Sequence, residues 1–174
     1  MNVLFLSPHY PPEMPSFVRG LAAVGAKVIG VGDQPLGNLP ASVQENMAAY
    51  IDVPSLFDEQ ALIKRVAQVV RRTPIHRIET LWEPLVLTAA KMRAALGVPG
   101  MSAEVVNGFR DKSVMKARLQ DAGVRVPKFA EVGTVEAARV ALLDIGFPCI
   151  VKPVSGAGSQ DTYRLKTMDE FEAI

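Results

Sequence analysis

The sequence contains little of what secreted, membrane-spanning or metal-binding proteins are built from. It has one cysteine, Cys149, in 174 residues, so no disulfide can form within the chain and a reducing, cytoplasmic setting is expected. No run approaches the roughly 18 apolar residues that a membrane-spanning helix requires. Its two histidines, His9 and His76, do not combine with cysteine or acidic residues at metal-ligand spacing. The flanks of Cys149, Pro148 and Ile150, favour a small buried hydrophobic residue over a reactive thiol.

An excess of one charge is also absent. The 19 basic and 18 acidic residues leave a net charge of +1, so neither a nucleic acid nor an anionic membrane is expected as a partner. The composition is 49% hydrophobic and 21% charged. Such a composition is typical of a globular protein with one full core, or one core and part of another.

The first hundred residues alternate short apolar runs with amphipathic stretches. Strands are predicted at residues 3–6, 27–31, 50–53 and 77–81, and helices at residues 17–24, from 58 onward and at 84–96. Strands and helices that alternate at this spacing indicate a parallel, doubly wound α/β sheet. The sequence GxGxxG is absent after the first strand, which argues against a dinucleotide site of the Rossmann type.

Proline, glycine and serine near residues 98–106 predict a domain boundary. Beyond it, helices are predicted at residues 110–122 and from Thr134, and strands at residues 129–132 and 147–151. A capping box follows, with Thr167 as N-cap and Glu170 three residues later. About two turns of helix remain after it, too few to be stable alone. We therefore interpret the chain as the N-terminal piece of a longer protein.

The stretch after residue 146 carries the strongest functional signal. A buried strand ends at Lys152, and the loop at residues 155–159 has almost no side-chain bulk. Small residues let backbone N–H groups approach an anion closely, and a neighbouring lysine adds a point charge for phosphate. The pattern predicts a nucleotide-phosphate clamp on a β-hairpin. It is not a P-loop, because GxxxxGK[ST] is absent.

Two segments together resemble the ATP-grasp superfamily. The tract GFPCIVKPVSGAGS is similar to the lid hairpin of biotin carboxylase and of the carbamoyl phosphate synthetase large subunit. Upstream, FRDKSVMKARLQDAGVRVPKF resembles the family's "DK … L…GV..P" segment, with Lys112 at the place of its first ATP-contacting lysine. Lys152 stands at the place of the second. Two lysines about forty residues apart, each in its own local pattern, are more specific than either alone.

The resemblance implies both a fold and an activity. Residues 1–104 would form a Rossmann-like preATP-grasp domain with a parallel sheet. Residues 105–174 would begin the ATP-grasp domain, with a linking helix and a partial α+β lid. The parent would be an ATP-dependent ligase or carboxylase that activates a small-molecule carboxylate as an acyl phosphate for attack by an amine or thiol. Homo-oligomers are compatible with this interpretation.

The resemblance also implies a set of site residues. The implied ATP-binding residues are Lys112, Lys152, Ser155, Gly156, Ala157, Gly158 and Ser159. Glu83 is a candidate residue of the ligand cleft, with a carboxylate at a helix N-terminus as its structural alternative. The Mg²⁺ ligands of the family would lie downstream of this chain, so the chain alone is expected to be inactive.

The same residues allow other interpretations. Lys112 could be a solvated residue in the first turn of a helix, and Lys152 a charge that protects a sheet edge. Gln160, Asp161 and Thr162 stand where many relatives have further glycines or a basic residue, which predicts a less cationic loop. A non-catalytic nucleotide-binding module is one alternative function. A GT-B glycosyltransferase is another, because MNVLFLSPHYPPE resembles the start of that fold.

Overall fold

The computed structural model describes residues 1–156 and 158–174. The chain divides into two compact units, Met1–Val106 and Asn107–Ile174. The predicted domain boundary, between residues 104 and 105, falls within the helix Ala103–Arg110 that spans this division. The assignment of the two parts as preATP-grasp and lid domains stays a prediction.

The first unit is built on a parallel sheet. Its strands are β1 (Asn2–Leu6), β2 (Lys27–Gly32), β3 (Ala49–Asp52) and β4 (Arg77–Glu79). They lie in the order β3-β2-β1-β4, and all three neighbouring pairs are parallel. Its helices are α1 (Met14–Ala23), α2 (Ala41–Gln44), α3 (Glu59–Val69), α4 (Val86–Leu96) and the start of α5 (Ala103–Arg110). The predicted parallel α/β sheet is confirmed.

The continuous apolar run of β1 is explained by its place in the sheet. Val3, Leu4, Phe5 and Leu6 are each at most 1% exposed, as expected for a central parallel strand whose two faces are both covered. Its neighbours β2 and β4 pair with it on either side. The core of the first unit therefore forms on both faces of this strand.

The helix ends follow local signals. Asp58 is the N-cap of α3, and its Oδ1 accepts a hydrogen bond from the Ala61 N–H at 3.1 Å. Gly97 ends α4 in the left-handed conformation, with φ of 65°. The predicted helix at 84–96 begins as a 3-10 turn, Glu83–Leu85, before α4 starts at Val86.

The second unit contains the end of α5, three further helices and a hairpin. Its elements are α6 (Lys112–Asp121), α7 (Val135–Ile145), β5 (Cys149–Val151), β6 (Tyr163–Leu165) and α8 (Met168–Glu172). Strands β5 and β6 pair antiparallel. Leu142, Leu165 and Phe171 form the buried core of this unit. Thr134 caps α7 and Thr167 caps α8, as predicted.

One prediction for the second unit is wrong. Residues 129–132 form no strand, because among the described residues β5 pairs only with β6 and no ladder includes this segment. A strand exists through its hydrogen-bonded neighbour, which an apolar run does not reveal. The helix predicted at 110–122 is confirmed as α6, which begins at Lys112 after its N-cap Asp111, whereas Arg110 is the last residue of α5.

Across the residues described, none of the helices is both long and apolar enough to cross a bilayer.

Candidate functional site

A cavity of about 650 Å³ lies in the second unit. Its walls are the start of α6, the segment at residues 127–132, one side of α7, and β5 with the residues that follow it. The charged residues that line it, among those described, are Lys112, Lys116, Lys128, Lys152 and Glu131. The excess of lysine makes this cavity electropositive and suited to an anion.

The α6 helix begins at this cavity because of Asp111. The Asp111 carboxylate accepts hydrogen bonds from the N–H groups of Ser113 and Val114, both at 2.9 Å. A side-chain cap of this kind fixes the first turn of a helix. Lys112 is the first residue of that turn. The cap therefore fixes the backbone position from which the Lys112 side chain extends.

The Lys112 side chain is bound to the hairpin loop. Its Nζ donates hydrogen bonds to the carbonyl oxygens of Val154, at 3.2 Å, and Gly156, at 3.1 Å. Its backbone N–H also donates to the Val154 carbonyl, at 3.3 Å. A lysine ammonium has three N–H donors, and these two side-chain bonds leave the third for another acceptor.

Arg110 holds the same loop. Its Nη1 donates to the Gly156 carbonyl at 3.2 Å, and its Nη2 donates to the Ser155 carbonyl at 2.7 Å. Consecutive carbonyl oxygens of the loop, those of Val154, Ser155 and Gly156, thus accept bonds from two cationic side chains. The base of the loop is therefore fixed against the α5–α6 junction.

Lys152 and Lys116 are close enough to affect each other. Burial lowers the pKa of Lys116, and the positive charge of Lys152 lowers it further. The Lys116 Nζ lies 4.5 Å from the centroid of the Phe129 ring, which is cation–π geometry. Lys152 is exposed at the end of β5. Two like charges face one cavity here, which favours an anionic ligand between them.

The remaining loop residues are arranged for a tight turn. Gly158 has φ of 61°, and Ser159 and Asp161 adopt positive φ of 60° and 50°. Ser155 and Ser159 are exposed. Ala157 lies outside the described residues. The roles of these residues in phosphate binding stay predictions.

Glu83 belongs to the first unit. It opens the 3-10 turn before α4 and is exposed. The neighbouring Trp82 ring meets Tyr10 and Phe57 edge to face, with centroids 4.9 and 5.3 Å away. Glu83 therefore directly follows in the sequence the central ring of an aromatic cluster. Its role as a cleft residue stays a prediction.

Cys149 lines the cavity but lacks the features of a reactive thiol. Burial raises the pKa of its thiol, which disfavours the nucleophilic thiolate. The side chain is half-buried and packs against the core of the second unit. This environment agrees with the interpretation of Cys149 as a small apolar residue.

A metal ion finds no ligand set in the part of the chain that the structure describes. No group of three or more histidine, cysteine and acidic side chains is placed to hold one. The site therefore consists of cations and a loop, which can bind and orient a polyanion.

Sequence reasoning missed Arg110, Lys116 and Phe129. One signal was available for Lys116, since it follows Lys112 by four residues on a predicted helix and so shares its face. Phe129 was assigned to a strand, which gave no reason to place it against a lysine. Arg110 stands at the start of the helix predicted at 110–122, and that position indicates no binding role.

The chain thus consists of a parallel α/β unit and a helix and hairpin unit with a lysine-lined cavity. Residues 21–100 match the family model of the ATP-grasp N-terminal domain. This match agrees with the resemblance to the ATP-grasp superfamily.

Amino acid ligases are among the proteins most similar to this chain. L-arginine-specific L-amino acid ligase of Bacillus subtilis is 28% identical over 122 residues, 70% of this chain and 30% of that protein. Alanine–anticapsin ligase of Bacillus amyloliquefaciens is 32% identical over 115 residues, 66% of this chain and 24% of that protein. The crystal structure of L-amino acid ligase from Bacillus licheniformis has a TM-score of 0.75 and 27% identity, over 99% of this chain and 40% of that one. The chain therefore spans well under half the length of these relatives.

The two enzymes that the motifs resemble also match. Carbamoyl phosphate synthase large chain of Myxococcus xanthus is 35% identical over 78 residues, 43% of this chain and 7% of that protein. Biotin carboxylase of Campylobacter jejuni shares the fold, with a TM-score of 0.71 and 21% identity over 98% of this chain and 40% of that one. The predicted superfamily is confirmed, and it is favoured over the glycosyltransferase alternative.

Proposed function

We propose that the protein to which this chain belongs is an ATP-dependent ligase that joins the carboxylate of one amino acid to an amine. The observation that supports this most directly is the group of lysines, Lys112, Lys116 and Lys152, on one cavity beside a small-residue loop. Such a group provides positive charge for the phosphates of ATP. The proposal includes a cytoplasmic location and small-molecule substrates.

In this proposal, the cavity lysines hold the polyphosphate. Lys152 and the third N–H of Lys112 contact phosphate oxygens, while Arg110 and Lys112 keep the loop in place from behind. The loop at residues 155–159 folds over the β- and γ-phosphates and excludes water. Fixed positive charge at these oxygens offsets the negative charge that develops on ADP during transfer, and the fixed geometry lowers the entropy cost of the reaction.

The reaction has two steps in which atoms and charges balance. A carboxylate oxygen attacks the γ-phosphorus, the bond between that phosphorus and the ADP oxygen breaks, and an acyl phosphate forms. The amine nitrogen then attacks the acyl carbon, inorganic phosphate leaves with the bonding pair, and the nitrogen loses a proton. Mg²⁺, when bound, would supply further positive charge to the phosphates, and no group of acidic, histidine or cysteine side chains among the described residues is placed to hold it.

Amino acids are proposed as substrates because of the relatives. L-arginine-specific L-amino acid ligase and alanine–anticapsin ligase both carry an amino acid in their names, and both are more than a quarter identical to this chain. Carboxylases share the fold at lower identity. This comparison favours carboxylate–amine ligation over carboxylation or ligation to a thiol.

The decisive experiment is replacement of Lys152. A charge-assisted hydrogen bond is worth about 1.5–3 kcal/mol, so Lys152→Ala is expected to weaken ATP binding at least about tenfold. Lys152→Met keeps most of the stem and should be nearly as damaging. Calorimetric titration of ATP into the 174-residue chain measures the affinity. In the complete protein, ADP release that depends on an amino acid measures the activity.

The control is Lys166→Met, in the same unit but outside the cavity, which should leave the affinity for ATP unchanged. Wild-type affinity in both Lys152 variants would overturn the clamp, and Lys152 would then be a charge that protects a sheet edge. Tight ATP binding with no ADP release in the complete protein would identify a non-catalytic nucleotide-binding module instead.

A further inference from the structure

Among the described residues that line the cavity, Lys116 is the one lysine whose ammonium group lies against an aromatic ring. Its Nζ stands 4.5 Å from the centroid of the Phe129 ring, and both residues are half-buried. It lies four residues after Lys112 on α6, which brings both side chains to one helix face. Among the described residues, no ion pair joins Lys116 to a carboxylate. It is a partly desolvated cation without an anionic partner.

The charged groups that line the cavity together with Lys116 come from three segments. Helix α6 itself provides Lys112, and the residue after β5 provides Lys152. The segment at 127–132 provides Glu131 and Lys128, and the latter is paired with Asp144 at 3.2 Å. Helix α7 presents apolar side chains to the cavity, including Leu142 and Ile145. Positive charge dominates around Lys116.

We propose that Lys116 is a third phosphate-contacting residue of the ATP site and that Phe129 is the positioning residue that holds it there. This inference rests on the proposed function of the cavity. An aromatic ring attracts an ammonium group through its face, so Phe129 fixes a side chain that otherwise has many rotamers. Without ATP, Lys116 is repelled by the positive charge of Lys152. With ATP bound, a phosphate group between the two lysines would attract both of them.

The protonation of Lys116 supports this assignment. Burial and the charge of Lys152 lower the pKa of Lys116 in the chain without ligand. A phosphate group between the two lysines favours their charged forms, so ATP should raise the pKa of Lys116 again. A structural lysine at the cavity wall would show no such response to ATP.

The binding test compares three variants of the 174-residue chain by calorimetric titration with ATP and with adenosine. Lys116→Met should weaken ATP binding at least about tenfold and leave adenosine binding unchanged. Lys116→Arg keeps the charge and should stay within about threefold of wild type. Phe129→Leu keeps an apolar wall but loses the ring, and should weaken ATP binding about two- to fivefold. Circular dichroism checks that each variant is folded.

The second measurement needs no variant that alters the cavity charge. Lysine labelled with ¹³C at Cε is titrated with pH by NMR, with and without ATP, and Lys116→Arg identifies the signal. The Lys116 midpoint should lie below the ordinary value for lysine in the free chain and rise when ATP is present. An unchanged midpoint at saturating ATP would overturn the inference.

The outcomes separate this inference from the proposed function. If Lys152→Met weakens ATP binding and Lys116→Met does not, the ATP site stands and the role of Lys116 is refuted. If the wild-type chain binds adenosine and ATP equally, no phosphate contact exists and both proposals fail. Equal weakening of ATP and adenosine by Lys116→Met would show a packing role and also refute the inference.

Discussion

At the scale of single residues, the lysines of the cavity differ in what they hold. Lys112 donates two hydrogen bonds to carbonyl oxygens of the hairpin loop, whereas Lys152 is exposed at the end of β5. We propose that both contact phosphate, and Lys112 also holds the hairpin loop. One lysine positions the loop, and the other is available to the ligand.

Because the two lysines differ in this way, we expect their replacement by methionine to affect the hairpin loop differently. Lys112→Met should remove both side-chain bonds to Val154 and Gly156, and so speed hydrogen exchange of amides in residues 154–156 and 158–160 without nucleotide. Lys152→Met should leave those exchange rates near wild type, because its side chain does not hold the loop. Exchange followed by NMR measures both. Similar acceleration in the two variants would show that Lys112 does not fix the loop.

Asp111 carries a second prediction at this scale. Its carboxylate caps two N–H groups of α6, and loss of such a cap typically costs about 1 kcal/mol. Asp111→Ala should therefore lower the free energy of unfolding of the second unit by about this amount. Asp111→Asn retains an accepting oxygen and should lose much less. Urea unfolding of both variants tests this, and equal losses would argue that the charge, not the cap, matters.

At the scale of elements, the sequence predicted those helices that begin at a capping side chain or end at a glycine. Asp58 and Thr134 begin helices as N-caps, and Gly97 ends one with positive φ. Each of these signals depends on residues within three positions of the helix end. A sequence reader can see such contacts because they are local.

The elements and site residues that were missed depend on distant partners. The run Phe129–Val132 has the composition of a strand, but whether it pairs depends on β5, about twenty residues later in the sequence. The sequence does not show that Lys116 lies against the Phe129 ring and close to Lys152, and these contacts are what make it a candidate site residue. The lysine positions of the motif were visible from the sequence. The cavity itself was not, because four separate segments build it.

The ion pair between α7 and α8 gives a prediction for these elements. Arg139 donates through Nε and Nη2 to the two carboxylate oxygens of Glu172, both at 2.6 Å. This hydrogen bonding, aided by the Arg139 charge, holds the pKa of Glu172 below its ordinary value. A carboxyl group with a lowered pKa in the folded state stabilises that state above its ordinary pKa. The contribution is lost as the pH falls through the lowered value.

The test compares Glu172→Gln with wild type at two pH values. At pH 7 the wild-type chain should have the higher Tm, because only its carboxylate is charged. Near pH 3 the difference should shrink, since wild-type Glu172 becomes protonated in the unfolded state and then in the folded state. The pair is exposed, so the effect should be small. A Tm difference that stays constant between the two pH values would contradict the assigned role.

At the scale of the whole molecule, the two units differ in how much structure supports each. The first has four parallel strands, and β1 is buried along nearly its whole length. The second has two strands of three residues each and a buried core of Leu142, Leu165 and Phe171. A two-stranded sheet needs packing from helices to persist in water. The second unit therefore has the weaker basis for stability.

Hydrogen exchange should reveal this difference directly. Amides of β1 and β2 should be the most protected in the chain, whereas those in residues 151–156 and 158–174 should exchange faster, because local openings follow local packing. ATP should slow exchange in the second unit more than in the first, since a ligand stabilises the part that it contacts. Exchange measured by mass spectrometry, with AMP as the control for the phosphates, tests both statements. We expect the first unit to be the more stable one and the second unit to bind the nucleotide. Uniform protection along the chain would contradict the first expectation. Equal slowing of exchange in both units by ATP would contradict the second.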